Sequence, residues 1–403
     1  MTFDALFLNC RLPDGFSGSL AIQDGRIAAL LPADERPSAQ RIDDLGGRLV
    51  LPGLVEGHIH LDTSFYGDAW KPHLPNTDGF DVRERVAFQM QNLRSAAPMR
   101  ERALRQLALC LGQGSTQMRS HVMVDAQIGL SHVETILEVR DACRDLIDIQ
   151  LVAFPQSGIL TSPGTADLLE AAMALGCDLV GGLDPATLDR DIEGHLDIVF
   201  DLAERRGAGI DIHLHDGGTL GIFEIEQICA RTRRLGLGGK VAVSHAYCLG
   251  QVEQTLLART ADLLAASGVA IMTIAPPNGP FPPVAPLRAA GVVVFSGSDN
   301  IRDSWWPYGD GDMLRRANMV GHRSGFFEDH QLDDAFDVVT QGGARALGLE
   351  GYGLGIGDFA DFVVLDAKHV PEAVVAVPAA RKVFRRGRLI AENGVVAELQ
   401  DLK

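Results

Sequence analysis

The feature that most restricts the fold of this chain is a repeat of kind: eight short apolar runs rich in β-branched residues, each separated from the next by a stretch with helical periodicity. The runs are Leu54 to Leu61, Thr116 to Val124, Ile149 to Phe154, Asp178 to Gly182, Gly209 to Leu214, Lys240 to Ala246, Val269 to Ile274 and Val292 to Ser296. Strands that alternate with helices belong to a parallel sheet, because each crossover needs a helix and the helices cover the sheet. Eight such units predict an α/β fold, a (β/α)8 TIM barrel. The stripe Ile222, Ile225, Ile228 and Cys229 is then the core face of one outer helix. At 403 residues with 46% hydrophobic side chains, the chain can fill a barrel and one smaller unit.

The two ends have a different texture. ALFLNCRL, GSLAIQDGRIAALL and GGRLVLPG at the start, and GDFADFVVLDA and KVFRRGRLIAENGVVAEL at the finish, read as short strands and turns, with hairpin signals at Asp24-Gly25 and Asn393-Gly394. They predict a small β-sandwich domain, discontinuous in sequence, from residues 1–54 and 352–403, around a barrel of residues 55–351.

Composition excludes several functions. A net charge of −17 opposes a nucleic-acid partner and favours a small neutral or cationic ligand. No apolar run is long enough to span a bilayer, and MTFDALFLNC lacks a basic region followed by a hydrophobic block, so the expectation is a cytoplasmic protein without a membrane partner. Six scattered cysteines with no Cys-x-x-Cys pair predict buried free thiols.

Barrels of this kind place their chemistry at the C-terminal ends of the strands, and polar residues gather there. The first run ends in His58-Ile59-His60; side chains alternate along a strand, so both imidazoles face one way and can grip one divalent metal, or else lie on a wet strand face. The second run carries His121, the third is followed by Gln156 and the fourth by Asp184. The fifth contains IDIHLHD, the sixth VSHAYC and the eighth FSGSDN. So many polar residues late in apolar runs point to a site. The Pro-rich loop APPNGPFPPVAP at 275–286 leaves the seventh run near it.

HIHLD, IDIHLHD, VSHAYC and GSDNIRDSWWPYGDGDM, in that order and spacing, resemble the amidohydrolase superfamily and its cytosine deaminase branch; CDLVGGLDPAT and DIHLHDGGTLGI resemble its triazine-acting members. The resemblance implies that His58, His60, His213 and Asp299 ligate one divalent metal, Zn2+ or Fe2+. Many relatives hold two metals bridged by a carboxylated lysine of the fourth strand. Here no lysine lies between Lys71 and Lys240, so a mononuclear site follows. A divalent ion makes water nucleophilic at neutral pH.

The resemblance further implies that His245 orients that water, and that Asp299 also passes its proton to the leaving amine. Asp216, where cytosine deaminases carry a glutamate, protonates a ring nitrogen. Gln156 binds the ring edge, Asp184 and Trp305 line the pocket, and Trp305 stacks on the heterocycle. His215 shares the face of His213 and points into the pocket; His121 and Trp306 are packing residues. The implied activity is hydrolytic deamination of a cytosine-like aminopyrimidine or related N-heterocycle with release of ammonia. Alternatives are an aminotriazine amidohydrolase releasing an alkylamine, a cyclic-amide hydrolase, and a non-catalytic metal-binding scaffold. The triazine-acting members carry a lysine directly after the aspartate of the first motif, where this chain has Thr63. Homo-oligomerisation is also expected. A His-x-Glu occurs at His132 to Glu134, but without the Cys-x-x-Cys that completes the other zinc deaminase signature.

Overall fold

A computed structural model describes residues 2–77 and 81–400 of the chain. Eight parallel strands follow one another around a sheet in sequence order: β1 (Leu54–Ile59), β2 (Ser115–Met123), β3 (Asp148–Phe154), β4 (Leu179–Leu183), β5 (Gly209–Leu214), β6 (Val241–His245), β7 (Val269–Met272) and β8 (Val294–Phe295). Each expected run forms its strand. The outer faces pack against the helices, and the stripe Ile222, Ile225, Ile228 and Cys229 of helix Gly218–Arg234 is buried in that core.

The ring closes between β8 and β1 through backbone bonds rather than a regular ladder. Gly57 N donates to Ser296 O at 3.1 Å, Asp299 N to His58 O at 2.7 Å, and His60 N to Asp299 O at 3.2 Å. Two glycines allow this approach. A Cβ at Gly297 would stand 2.4 Å from both the backbone N and O of His58, and one at Gly57 would stand 2.6 Å from Ser296 O. β8 is shorter than its apolar run because Ser296 turns its N–H to Val338 O at 2.9 Å.

The second sheet is mixed and comes from both chain ends, with strands Phe3–Arg11, Ser17–Gln23, Arg26–Leu31, Ala39–Asp44, Leu49–Pro52, Phe362–Leu365, Arg381–Arg385 and Arg388–Glu392. Leu49–Pro52 pairs antiparallel with Phe362–Leu365, which joins the two ends. Phe7 and Phe384 lie on strands three apart in this sheet, a separation of about 14 Å if it were flat. Their rings are 5.0 Å apart, and Phe362 stacks on Phe384 at 4.7 Å, so the sheet coils over its own core. Asp24-Gly25 turns the expected hairpin with φ of 52° and 71°. Asn393-Gly394 makes only a tight turn closed by the Glu392–Val395 bridge; the hairpin of the last two strands turns instead at Arg386-Gly387.

Sheet and barrel are tied by Arg381, fully buried, whose Nη1 and Nη2 donate to the two oxygens of Asp312 at 2.8 and 2.7 Å. Asp312 also caps helix Met313–Ser324, which follows the last barrel strand. Among the described residues, no helix is long and apolar enough to cross a membrane.

Candidate metal centre and active site

Local irregularities deliver the polar side chains to one rim. On β5 alternation suffices: Ile210, Ile212 and Leu214 pack outward among the helices, and Asp211 and His213 face inward. On β1 it does not. Val55 faces the barrel interior while Ile59 and Leu61 pack outward, and the parity changes at a register shift between Glu56 and Ile59. That bulge turns both His58 and His60 inward, as the His-x-His spacing predicts.

On β6, Ala242 lies in the interior cluster and Val243 in the outer one, so alternation would aim His245 at the helices. Its φ of 72° turns it back into the barrel mouth. Asp184, Ala246, Ala275 and Asp299, all at the same rim, also have positive φ. Each such residue costs about 1–3 kcal/mol, and the concentration of strain at one rim marks the functional end.

His58, His60, His213 and Asp299 bring one ligand atom each to within 4.8 Å of the others, and all four are buried. His58 Nε2 is 3.1 Å from His213 Nε2 and 3.5 Å from Asp299 Oδ1; His60 Nε2 is 3.2 Å from the same oxygen. Ser244 Oγ donates to Asp211 Oδ1 at 2.7 Å and so accepts from His58 Nδ1 at 3.0 Å. This chain of bonds fixes the His58 tautomer and leaves the Nε2 lone pair aimed into the cluster.

Burial lowers the pKa of His58, and it holds that of His213 well below the ordinary value, with the neighbouring His58 adding to the effect. For His60 burial pulls the same way, but Asp299 outweighs it and the pKa rises. Burial would raise Asp299, yet His245, His58 and His60 hold it far below the usual carboxylate range. His213 Nδ1 is buried without a hydrogen-bond partner. Facing imidazole nitrogens and an anionic carboxylate, gathered in a buried site, fit a divalent ion with N and O ligands. His58, His121 and Asp211 form another close group. Its carboxylate, however, is engaged by Arg119 Nη1 at 3.0 Å, a cation that competes with any metal.

His60, His213 and Asp299 floor a cavity of about 770 Å³. Gln156, His215, His245 and Trp305 line it, as expected, together with Phe154, Tyr247 and Arg316. His215 donates from its backbone N (2.6 Å) and Nδ1 (2.9 Å) to Asp184, and stacks on His245 at 4.6 Å. Burial lowers the His215 pKa, but Asp184 outweighs it and the net shift is upward; His245 is held well below its ordinary value, first by burial and then by neighbouring imidazoles.

Some residues sit elsewhere than expected. Asp184 stands behind His215 and is not among the lining residues. Asp216 is also outside the lining; its Oδ2 accepts from Thr187 N at 3.3 Å, and burial and Asp184 raise its pKa. Trp306 is half-buried in the cavity wall and not in the core. His121 does pack: it is fully buried, its ring 3.9 Å from that of His58. Thr63 is buried and outside the lining.

Several supporting residues escape sequence reasoning. Ser244 and Asp211 orient His58. Glu56, pushed up to about 7 by burial, accepts from Ser298 N at 2.7 Å and holds the backbone next to Asp299. Gln89, fully buried on helix Val82–Leu93, bridges Trp305 and Gln156. Asp211 had a signal, lying two residues before His213 and hence on the same face; the others are set by tertiary approach.

Converging imidazoles and a carboxylate at the C-terminal rim of an eight-stranded barrel define a class, the barrel hydrolases with a metal-binding cluster. The chain belongs to the amidohydrolase family, a model of which matches residues 41–391. It is an enzyme, a hydrolase of non-peptide carbon–nitrogen bonds. N-isopropylammelide isopropylaminohydrolase from Burkholderia multivorans, a solved structure, superposes with a TM-score of 0.93 at 39% identity, covering 98% of this chain and 100% of that one. 5-Methylcytosine deaminase from Klebsiella pneumoniae, solved with 5-fluorocytosine, superposes with a TM-score of 0.84 at 30% identity, covering 96% and 97%. N-isopropylammelide isopropyl amidohydrolase of Pseudomonas sp. strain ADP is 33% identical over 360 residues, 88% of each chain.

Proposed function

We propose that this chain is a mononuclear metal-dependent hydrolytic deaminase of a cytosine-like aminopyrimidine or related N-heterocycle, releasing ammonia. The observation that carries the reading is the four-donor cluster, three of whose members, His60, His213 and Asp299, floor a cavity walled by His245, Gln156 and Trp305. His58, His60, His213 and Asp299 would hold one Zn2+ or Fe2+, which supplies the Lewis acidity that makes water nucleophilic near neutral pH.

The chain's own groups do the rest. His245, kept neutral by burial, offers a nitrogen lone pair that orients the attacking water. The Asp299 carboxylate takes the proton lost as water adds to the amine-bearing carbon, and returns it to the departing nitrogen. Trp305 provides a flat wall for the ring, Gln156 binds its edge, and Asp184 holds His215 in the wall. Asp216 is assigned no direct contact with substrate.

A second reading, an aminotriazine amidohydrolase releasing an alkylamine, is favoured by the 39% identity to the Burkholderia enzyme. The reading also includes a homo-oligomer, a cytoplasmic location, supported by six buried free cysteines, and a division into residues 1–54 with 352–403 and residues 55–351, supported by where the strands of the second sheet fall.

The test is to load the purified chain with Zn2+ or Fe2+, count metal per chain by elemental analysis, and screen aminopyrimidines, alkylaminotriazines, pterins and creatinine-like rings for released amine. One metal per chain and ammonia from a ring amidine support the reading. Alkylamine alone selects the second reading, ring opening without amine selects a cyclic-amide hydrolase, and no turnover of any ring refutes the deaminase.

A further inference from the structure

The charge of the cavity runs against the charge of the chain. Acidic side chains outnumber basic ones 53 to 36 overall. Among the described residues that line the cavity, Asp299 is the one carboxylate, and Arg85 and Arg316 are two guanidinium groups, a formal charge of +1 before any ion or imidazolium is counted. A divalent ion held by the cluster would add to it. Arg85 donates to Asn76 Oδ1, Leu74 O and Ser304 O, all neutral acceptors. Arg316 donates from Nη1 to Ile274 O at 2.8 Å and from Nη2 to Ser298 O at 3.4 Å, again to neutral groups. The carboxylates whose fields reach Arg316 are engaged elsewhere: Glu56 accepts from Ser298 N, Asp310 pairs with Arg315 at 2.6 Å, and Asp299 belongs to the donor cluster. Burial lowers the Arg316 pKa, so its cation carries a desolvation cost that no ion pair among the described residues offsets. A guanidinium has five N–H donors. The two carbonyl bonds leave three of them on a half-buried side chain of the cavity wall, and Nε, which has no partner among the described residues, keeps accessible surface.

We propose that Arg316 is a specificity-determining residue that reads a carboxylate on the substrate. The substrate class is thus an aminated N-heterocycle with a carboxylate on the ring side that faces the ends of β7 and β8. Ile274 and Ser298 follow those two strands, and their carbonyls hold the guanidinium across the gap between them. A planar fork of N–H donors matches a carboxylate better than a point charge does. Arg85 adds its charge to the field of the cavity, which low-dielectric walls focus. A cavity of about 770 Å³ has room for such a substituent beside the ring. The inference rests on the deaminase reading for the ring and its amine, but the preference for a carboxylate is read by binding alone.

The test uses the full chain loaded with Zn2+ and rings that have no amine to lose: uracil, its 5- and 6-carboxylates, and the two matching carboxamides. Binding is measured by isothermal titration calorimetry, with bound Zn2+ counted before and after. In wild type at least one carboxylate binds roughly tenfold or more tighter than its carboxamide, and added salt shrinks that advantage. Arg316→Gln removes the charge and brings the carboxylate-to-carboxamide ratio to within about twofold of one, while uracil binds as before. Arg316→Lys keeps the charge but not the planar fork; its ratio falls between those two and decides the matter if the glutamine variant does not fold. A wild type that binds none of these rings, or that prefers neither carboxylate, overturns the inference. So does a wild-type ratio that survives unchanged in the variants, the mark of chelation by the ion and of an arginine that is merely structural. Failure of the deaminase reading shows separately, as no amine released from any aminated ring while the carboxylate ratio stands.

Discussion

Ser244 is the perturbation that most directly tests how this cluster is organised. Its hydroxyl joins the His58 ring to the Asp211 carboxylate through two bonds of 3.0 and 2.7 Å, and all three side chains are buried. Ser244→Ala leaves the His58 Nδ1–H buried without its acceptor, which costs about 1–3 kcal/mol. It also frees the imidazole to place its proton on Nε2, the atom that faces the other donors. Asp211 keeps its bond to Arg119 on Oδ2 at 3.0 Å but loses the serine donor on Oδ1, so part of the stability cost falls on the carboxylate. At about 1.4 kcal/mol per decade, the expected weakening of metal affinity is roughly 10–100-fold, the range seen when a ligand histidine loses its outer partner. The assay is a Zn2+ titration against a competing chelator, with circular dichroism and thermal unfolding of the metal-free proteins as controls. A folded alanine variant that holds Zn2+ within twofold of wild type would refute the claim that this hydroxyl sets the tautomer.

His245→Asn is expected to lower kcat by roughly 10²–10⁴-fold while elemental analysis finds the metal retained, because the role proposed for His245 is to orient water and not to hold the ion. Gly297→Ala places a Cβ 2.4 Å from His58 N and O; it should lower the unfolding free energy measured by urea titration by about 1–3 kcal/mol and reduce bound metal to less than half of wild type. Glu224, raised to about 9 first by burial and then by the adjacent Asp216, binds a proton in the folded chain that the unfolded chain has released above pH 4.5. Its contribution to stability is therefore present below pH 4.5 and is lost as pH rises toward 9. Glu224→Gln should show a smaller drop in melting temperature between pH 5 and pH 9 than wild type, and an equal drop would refute the assignment.

The barrel was legible because its signal is redundant. Eight β-branched runs each form a strand, and outward residues such as Ile210 and Ile212 alternate with inward ones such as Asp211 and His213. The cluster of His58, His60, His213 and Asp299 was legible for a narrower reason, a resemblance in four motifs, since alternation alone misdirects two strands. On β1 the bulge restores the inward face of His58 and His60, and on β6 a left-handed φ at His245 reverses its direction. Neither is a property of local sequence; both follow from how the strands meet. Asp184 and Trp306 exchanged places relative to expectation for the same reason. The carboxylate is drawn behind His215 by two hydrogen bonds, and the indole is left in the wall by the turn that Asp303 organises through the Trp305 and Trp306 amides. Gln89 is invisible beforehand because nothing in a helix of mixed polarity says which glutamine will face inward.

The seam between the first and last barrel strands has a consequence for biosynthesis. Two donors come from the strand made first and one from the segment after the strand made last, and Asp299 reaches its place only by exchanging backbone bonds with His58 and His60. A nascent chain lacking that final segment cannot assemble the set, however well its earlier helices and strands have packed. On the proposed reading, acquisition of an ion is thereby reserved for molecules whose ring has shut, and partly translated or clipped chains would lack the complete donor set.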